Sequence, residues 1–314
     1  ASIVLLCFAC TTKPEDKKTV KSEEFIMLDV IPALNNEKQL KLSDLVERIE
    51  YMQLESKEEC MIAGAWTVVG EKYIAICTGS RMGETVLLFD RKGKFIRKIG
   101  KLGKGPGEYE MPAEIDLSPD EKKILVSEAF KPVVHEYDIN GKHIKSLRLK
   151  RPSSEGPYYL DNENIVLMQG RPMTDSLHYP RVIKMNLQSE AITPISYIDF
   201  VRNTDGSAGL YASNQFSRND NGIQYRDCMD DTVFQIGFDH EVKALLSFDV
   251  GDNTWPSYSI RMDQDHFDNV GSISFFPNHL LIIGNYQERF HQIYDKKSGN
   301  LFTLPKLDKC RINP

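Results

Sequence analysis

Two stretches of this chain repeat each other. Val86-Leu-Leu-Phe-Asp-Arg-Lys-Gly-Lys-Phe-Ile-Arg-Lys-Ile99 and Val134-His-Glu-Tyr-Asp-Ile-Asn-Gly-Lys-His-Ile-Lys-Ser-Leu147 agree at Val, aromatic, Asp, Gly, Lys, Ile and a final aliphatic position. Each is two alternating runs joined by a polar turn with a glycine, the signature of a β-hairpin. Alternation predicts one buried and one wet face per strand. The pattern returns in weaker form at Val182–Asn186, Val233–Ile236 and His291–Asp295. The equivalent positions Phe89, Tyr137, Met185, Ile236 and Tyr294 are spaced like propeller blades.

Two further strand-like pieces precede the clearest hairpins: Ala65–Val69 and Lys72–Cys77, Ala113–Leu117 and Lys123–Ser127, Ser272–Phe276 and His279–Ile283. Four strands per repeat make one propeller blade. A single blade cannot bury both faces alone, so blades must stack. The predicted fold is therefore all-β, a β-propeller of four-stranded antiparallel blades with five full repeats visible. A sixth is partial or truncated. The second half of Leu40–Leu54 alternates and is a candidate outer strand for the last blade. No apolar 3.6-residue pattern lasts long enough for an ordinary helix.

The first ten residues are different. Ser2–Ala9 is apolar and too short to span a bilayer as a helix. It meets Ala9-Cys10 and then a tether rich in Lys, Glu and Asp, residues 11–24. This is the shape of a secretory signal ending at a lipobox cysteine, with Cys10 the expected lipidation site. Residues 25–314 are then the propeller domain. Of the other cysteines, Cys60, Cys77, Cys228 and Cys310, none forms a C-x-x-C pair. Cys77 lies in an apolar strand and is expected to pack as a small hydrophobe.

A net charge of −6 argues against nucleic acid as the main partner. The charge is uneven: residues 86–151 carry about five net positive charges. Lysines on outer strand edges, where they deter edge pairing, are the expected source.

Gly100-Lys-Leu-Gly-Lys-Gly-Pro-Gly-Glu-Tyr-Glu-Met-Pro112 fails as a nucleotide loop. A P-loop needs Gly-Lys-Ser/Thr entering a helix, and here Pro106 follows Gly105 between strands. The glycines suit a corner between blades. Together with the Asp-x-x-Gly-Lys hairpin before it, Gly103–Tyr109 resembles a signature of the bacterial six-bladed β-propeller lipoproteins, relatives of NHL and TolB-like propellers. Leu42–Leu54 and Asp230-Asp-Thr-Val-Phe234 resemble other segments of that family. The resemblance covers roughly residues 25–310 and implies six blades and a secreted or lipid-anchored protein. It carries over no catalytic residues.

Function is expected on the rim that holds this corner and the turns between second and third strands. Arginines and aromatics recur in these connections, Phe130 and Tyr286 among them. The candidate ligand contacts are Arg81, Tyr109, Arg171, Tyr179, Tyr211, Trp255, Tyr258, Arg261 and Arg289. Rings with guanidinium forks suit glycans, peptides or an envelope protein. The long connections 199–212 and 249–270 strengthen the case. The seven histidines are scattered, with no H-E-x-x-H and no metal-ligand spacing. No cofactor is implied. The expectation is a binding or scaffold module at the outer membrane, facing periplasm or cell surface, touching the membrane only through its anchor. The alternative is a propeller lactonase, lyase or glycosidase working from inner strands, where Glu114 and Asp116 are the clearest acids.

Overall fold

A computed structural model describes residues 25–45, 48–62, 65–78, 85–170, 178–199, 215–226, 231–249, 269–276, 278–286 and 288–305. They divide into two compact units, residues 49–200 and residues 201–314 with those before 49.

The first unit holds three antiparallel sheets of four strands each. Blade 1 is β2 (Ala65–Val69), β3 (Tyr73–Thr78), β4 (Thr85–Asp90) and β5 (Phe95–Ile99). Blade 2 is β6 (Pro112–Leu117), β7 (Lys123–Glu128), β8 (Val133–Asp138) and β9 (His143–Arg148). Blade 3 is β10 (Ser153–Tyr159), β11 (Asn164–Gln169), β12 (His178–Asn186) and β13 (Ile192–Asp199). The second unit holds two more sheets, one of four strands and one in which a fifth strand joins a four-stranded blade. Blade 4 is β14 (Gln215–Asn219), β15 (Gly222–Arg226), β16 (Thr232–Gly237) and β17 (Val242–Asp249). Blade 5 is β18 (Asn269–Phe275), β19 (His279–Tyr286), β20 (Glu288–Asp295) and β21 (Asn300–Thr303). The repeats read from the sequence are thus real sheets.

The repeated Asp-x-x-Gly is a turn mechanism. Asp90 Oδ1 accepts the N–H groups of Lys92 and Lys94, each at 2.9 Å. Asp138 does the same for Asn140 and Lys142, also at 2.9 Å. Gly93 has φ +81°, and a Cβ there would lie 2.2 Å from the Gln53 carbonyl oxygen. Only glycine fits such a corner.

Burial departs from simple alternation. Ile74–Thr78, Val86–Phe89 and Ile124–Glu128 are buried at every position. These middle strands have a neighbouring sheet or segment against both faces, so neither face is wet. The outer strands are wetter: in β5, Arg97 and Lys98 are exposed while Ile99 is buried.

The segment before blade 1 also departs from expectation. Leu42–Leu45 is a short helix, and residues 50–57 form no strand. Leu54 and Cys60 instead pack on Ile74, Ile76, Leu87 and Phe89, covering a face of blade 1. The added strand is earlier: β1 (Ile26–Asp29) pairs parallel with β17, from Ile26↔Leu246 to Asp29↔Asp249. Glu37 then bridges Thr303 on β21. Gln292 Nε2 donates to the Val30 carbonyl at 2.8 Å and ties this segment down. Cys60 and Cys77 are both buried, and Cys77 packs in the core between blades 1 and 2 as expected.

Blades 1 and 2 are locked at two levels. Tyr109 is fully buried among Ala75, Val86, Ile99, Ile115 and Tyr137. Its hydroxyl donates to the Ile99 carbonyl at 2.7 Å and accepts the Val86 N–H at 3.2 Å. At the opposite end of the strands, Glu121 extends its carboxylate to the N–H groups of Glu71, Lys72 and Tyr73 in the β2–β3 turn. A buried carboxylate bound by backbone donors is a strong link, and its removal orphans those donors. Glu121→Ala is expected to cost about 2–4 kcal/mol of unfolding free energy, measured by urea denaturation. An unchanged midpoint would show that the link contributes nothing.

Candidate functional site

The glycine-rich corner is built as a wedge, not a cradle. Gly100 has φ +67°, and a Cβ there would lie 2.6 Å from the Tyr109 ring. The Tyr109 and Tyr137 rings meet edge to face at 6.2 Å, and the Tyr137 hydroxyl donates to the Gly107 carbonyl at 3.0 Å. Glu108 folds back to accept the Gly105 N–H at 2.8 Å and pairs with Lys101 at 3.3 Å. The Gly105 N–H and then Lys101 hold its carboxyl below the ordinary range. This corrects one expectation. With both its ring and its hydroxyl committed to the blade junction, Tyr109 has no surface left for a ligand.

What the wedge supports is the turn beside it. Residues 129–132 join β7 to β8, and Phe130 at the tip is 84% exposed with φ +62°. A bulky residue in left-handed backbone is strained, and such strain persists only where the surroundings impose it. Here they do. Glu128, 3% exposed, accepts the Glu110 N–H at 2.8 Å and bonds His135 Nε2 at 3.1 Å. Lys131 pairs with Glu128 at 3.2 Å and with Glu110. Ala129 N–H donates to the Met111 carbonyl at 2.8 Å. Burial alone would raise the Glu128 carboxyl, but the Glu110 N–H, His135 and Lys131 outweigh it and hold it below its usual value. Behind it, His135 Nδ1 lies 2.8 Å from Ser146 Oγ, and His143 Nε2 lies 2.9 Å from the same oxygen. Burial, then the neighbouring His135, push His143 down. The polar chain therefore runs from the turn back to the outer strand. Met111 and Leu102, both about half exposed, flank the wedge, and Met111 sits beside the Phe130 turn through the bond its carbonyl accepts from Ala129.

A second cluster lies on the first strands, where β2, β6 and β10 are neighbours. β2 exposes Trp66, β6 carries Glu114, and β10 carries Glu155 and Tyr158. Asp116, also on β6, accepts the Tyr159 N–H at 2.7 Å and is spent on the junction with blade 3. Burial and the charge of Glu114 raise Glu155 to about 7, while Tyr158 and Arg181 pull weakly the other way. Burial also raises Glu114. Two carboxyls poised to be protonated can donate as well as accept, which suits a hydroxylated ligand or acid–base work. Among the described residues, no three His, Cys, Asp or Glu side chains are grouped as metal ligands.

The remaining candidates scatter. Tyr179 is buried beneath the Arg151 guanidinium, 4.6 Å from the ring centre, so it too is a packing residue and not a ligand contact. Arg289 is exposed on β20. Arg81, Arg171, Tyr211, Trp255, Tyr258 and Arg261 lie outside the described residues, as do Cys10 and most of the two long connections. Sequence reasoning left Phe130 out of its candidate contacts and missed Met111, Glu155 and Tyr158 altogether. An aromatic at a hairpin tip, where Gly or Asn is usual, was the available signal.

The profile of a domain of unknown function, DUF4934, matches residues 25–310. The chain belongs to the DUF4934 family. No curated protein matches it. Among solved structures, a candidate exported protein of Bacteroides fragilis is similar, with TM-score 0.66 at 14% identity, over 90% of this chain and 80% of that one. A DUF4221 family member from Bacteroides vulgatus is similar with TM-score 0.53 at 12% identity, over 79% of this chain and 83% of that one. At such identities the likeness concerns fold. This DUF4934 protein is an all-β protein of propeller blades.

Glu155 gives a pH signature. An acid whose folded value is raised above its unfolded 4.5 stabilises the fold at low pH. That contribution is lost as pH rises from about 4.5 to about 7, because the folded state holds the proton longer. Glu155→Gln is expected to flatten this fall and to be more stable than the parent by ~2 kcal/mol at pH 8. Thermal melts across pH 4–8 give the comparison. A parent whose stability rises through that window, or a variant with the parent's slope, would contradict the assignment.

Proposed function

We propose that this DUF4934 protein is an exported, lipid-anchored binding module of the cell envelope that captures a peptide segment or protein on its blade rim. The observation that carries the reading is Phe130, held almost wholly in solvent by a turn that Glu128, Lys131 and Glu110 clamp. An exposed aromatic on a rigid platform loses little entropy on binding, and such residues dominate interface energetics. Apolar, half-exposed Met111 at the same turn favours a protein partner over a glycan, whose hydroxyls need polar groups around the ring. Export rests on the apolar run before Cys10 and on the likeness to a candidate exported protein. Attachment through Cys10, residence at the outer membrane and kinship with the lipoprotein propellers belong to this same proposal.

A second reading has one observation in its favour. Burial raises both Glu155 and Glu114, and a carboxyl so raised is the kind of general acid a propeller glycosidase, lyase or lactonase would use.

Selection of displayed peptides on the full chain, run beside a glycan array, separates these outcomes. The expected result is a peptide whose affinity falls at least ~10-fold in Phe130→Ala with no loss of melting temperature. Glycan binding indifferent to Phe130, or turnover abolished by Glu155→Gln, would replace the proposal.

A further inference from the structure

The polar chain behind the Phe130 turn has a direction. Glu128 Oε1 lies 3.1 Å from His135 Nε2, and Ser146 Oγ lies 2.8 Å from His135 Nδ1 and 2.9 Å from His143 Nε2. Glu128, its carboxyl held below the usual range, is a carboxylate, and a carboxylate only accepts. When the His135 ring is neutral, its proton must therefore sit on Nε2, and Nδ1 is bare. A bare nitrogen at that distance from a hydroxyl takes its hydrogen, so Ser146 donates to His135. The His143 Nε2–H then donates to the other side of Ser146 Oγ.

The chain runs from the interior to a place that can be reached. Glu128 is 3% and His135 5% exposed, whereas Ser146 is partly exposed on β9, the last strand of blade 2. Leu149 N–H donates to the Pro132 carbonyl, and Val133 stands opposite Arg148. Antiparallel ladders alternate bonded and non-bonded pairs, so His135↔Ser146 is a non-bonded pair. The Ser146 N–H therefore points away from β8, off the edge of the sheet. Packing alone would be served by the Glu128–His135 pair inside the blade. Here the pair is extended to a hydroxyl that solvent touches.

We propose that Ser146 is a nucleophile for acyl transfer from small carboxylic esters, with His135 its general base and Glu128 the positioning residue that fixes the His135 tautomer. Nucleophile, base and orienting carboxylate stand in hydrogen-bond contact in that order, which is how such a unit is recognised on any fold. Ser146 Oγ bonds to the ester carbonyl carbon as its proton passes to His135 Nδ1. The carbonyl electron pair moves onto oxygen, where the Ser146 N–H donates to it. Collapse breaks the bond to the alkoxide, which leaves with the His135 proton as an alcohol. Water then gives a proton to His135 and attacks the acyl group, and that proton returns to Ser146 Oγ as the carboxylic acid departs. The substrate must be small because the corner closes one side: a Cβ on Gly107 would lie 2.5 Å from the His143 ring. This activity is additional to peptide capture and does not rest on it.

The test treats the full chain with a fluorophosphonate, which bonds a reactive serine oxygen and releases fluoride, and locates the adduct by peptide mass spectrometry. One adduct is expected, on Ser146, and none on the chain unfolded in urea. Hydrolysis of p-nitrophenyl acetate should fall to the level of the unfolded chain in Ser146→Ala and at least ~100-fold in His135→Gln. Glu128→Gln, whose amide can donate to Nε2, should lower it at least ~100-fold and move the His135 proton to Nδ1 in ring-nitrogen NMR, a change that loosened packing alone would not make. Should the variants misfold, the adduct on the parent chain decides by itself. No adduct, an adduct on another residue, equal labelling of the unfolded chain, or a folded Glu128→Gln chain with the parent's rate would each overturn the inference. Labelling reads this activity and affinity reads peptide capture, so the two proposals fail separately.

Discussion

The junction between blades 1 and 2 depends on one buried phenol. A propeller sheet is stable only when both its faces are covered, and a junction of strands alone leaves the connecting loop with unpaired backbone groups. Tyr109 resolves both needs at once. Its ring fills the apolar space between the sheets, and its hydroxyl takes up an N–H and a carbonyl of the outer hairpin of blade 1. The thirteen residues that looked like a phosphate loop are what brings that ring to its place. Their glycines are there because rings and carboxylates occupy the space a side chain would need.

From that wedge the rim follows. Glu110 and Met111 leave it with their backbone fixed, and Glu128 reads that backbone and transmits it to the β7–β8 turn. Phe130 is displayed because its support is rigid, and the support is rigid because Tyr109 is anchored. The first strands use the same economy differently. Asp116 seals blade 2 to blade 3, and Glu114 lies close enough to oppose ionisation of Glu155.

Much of this was legible in the residues. The Asp-x-x-Gly hairpins announced the blades because their chemistry is local: an Asp two residues from the N–H it caps, and a glycine at a positive φ. The choice of β1 over the alternating half of Leu40–Leu54 was not legible, because both runs are short and which one finds an open edge depends on where the chain passes. Tyr109 and Phe130 are only a few turns apart on one rim, yet one is core and the other solvent. Nothing in their residue types distinguishes them. What decides is which way the flanking backbone turns, and that is set by contacts distant in sequence.

Native-state hydrogen exchange tests the wedge most directly, because it reports each backbone N–H on its own. If Tyr109 ties loop and blades into one unit, the amides of Val86, Tyr109 and Glu110 should exchange only through global unfolding, as slowly as those of the middle strands β4 and β7. Fast exchange at Tyr109 and Glu110, with β4 and β7 still protected, would mean that the loop opens by itself and that Phe130 has no fixed support.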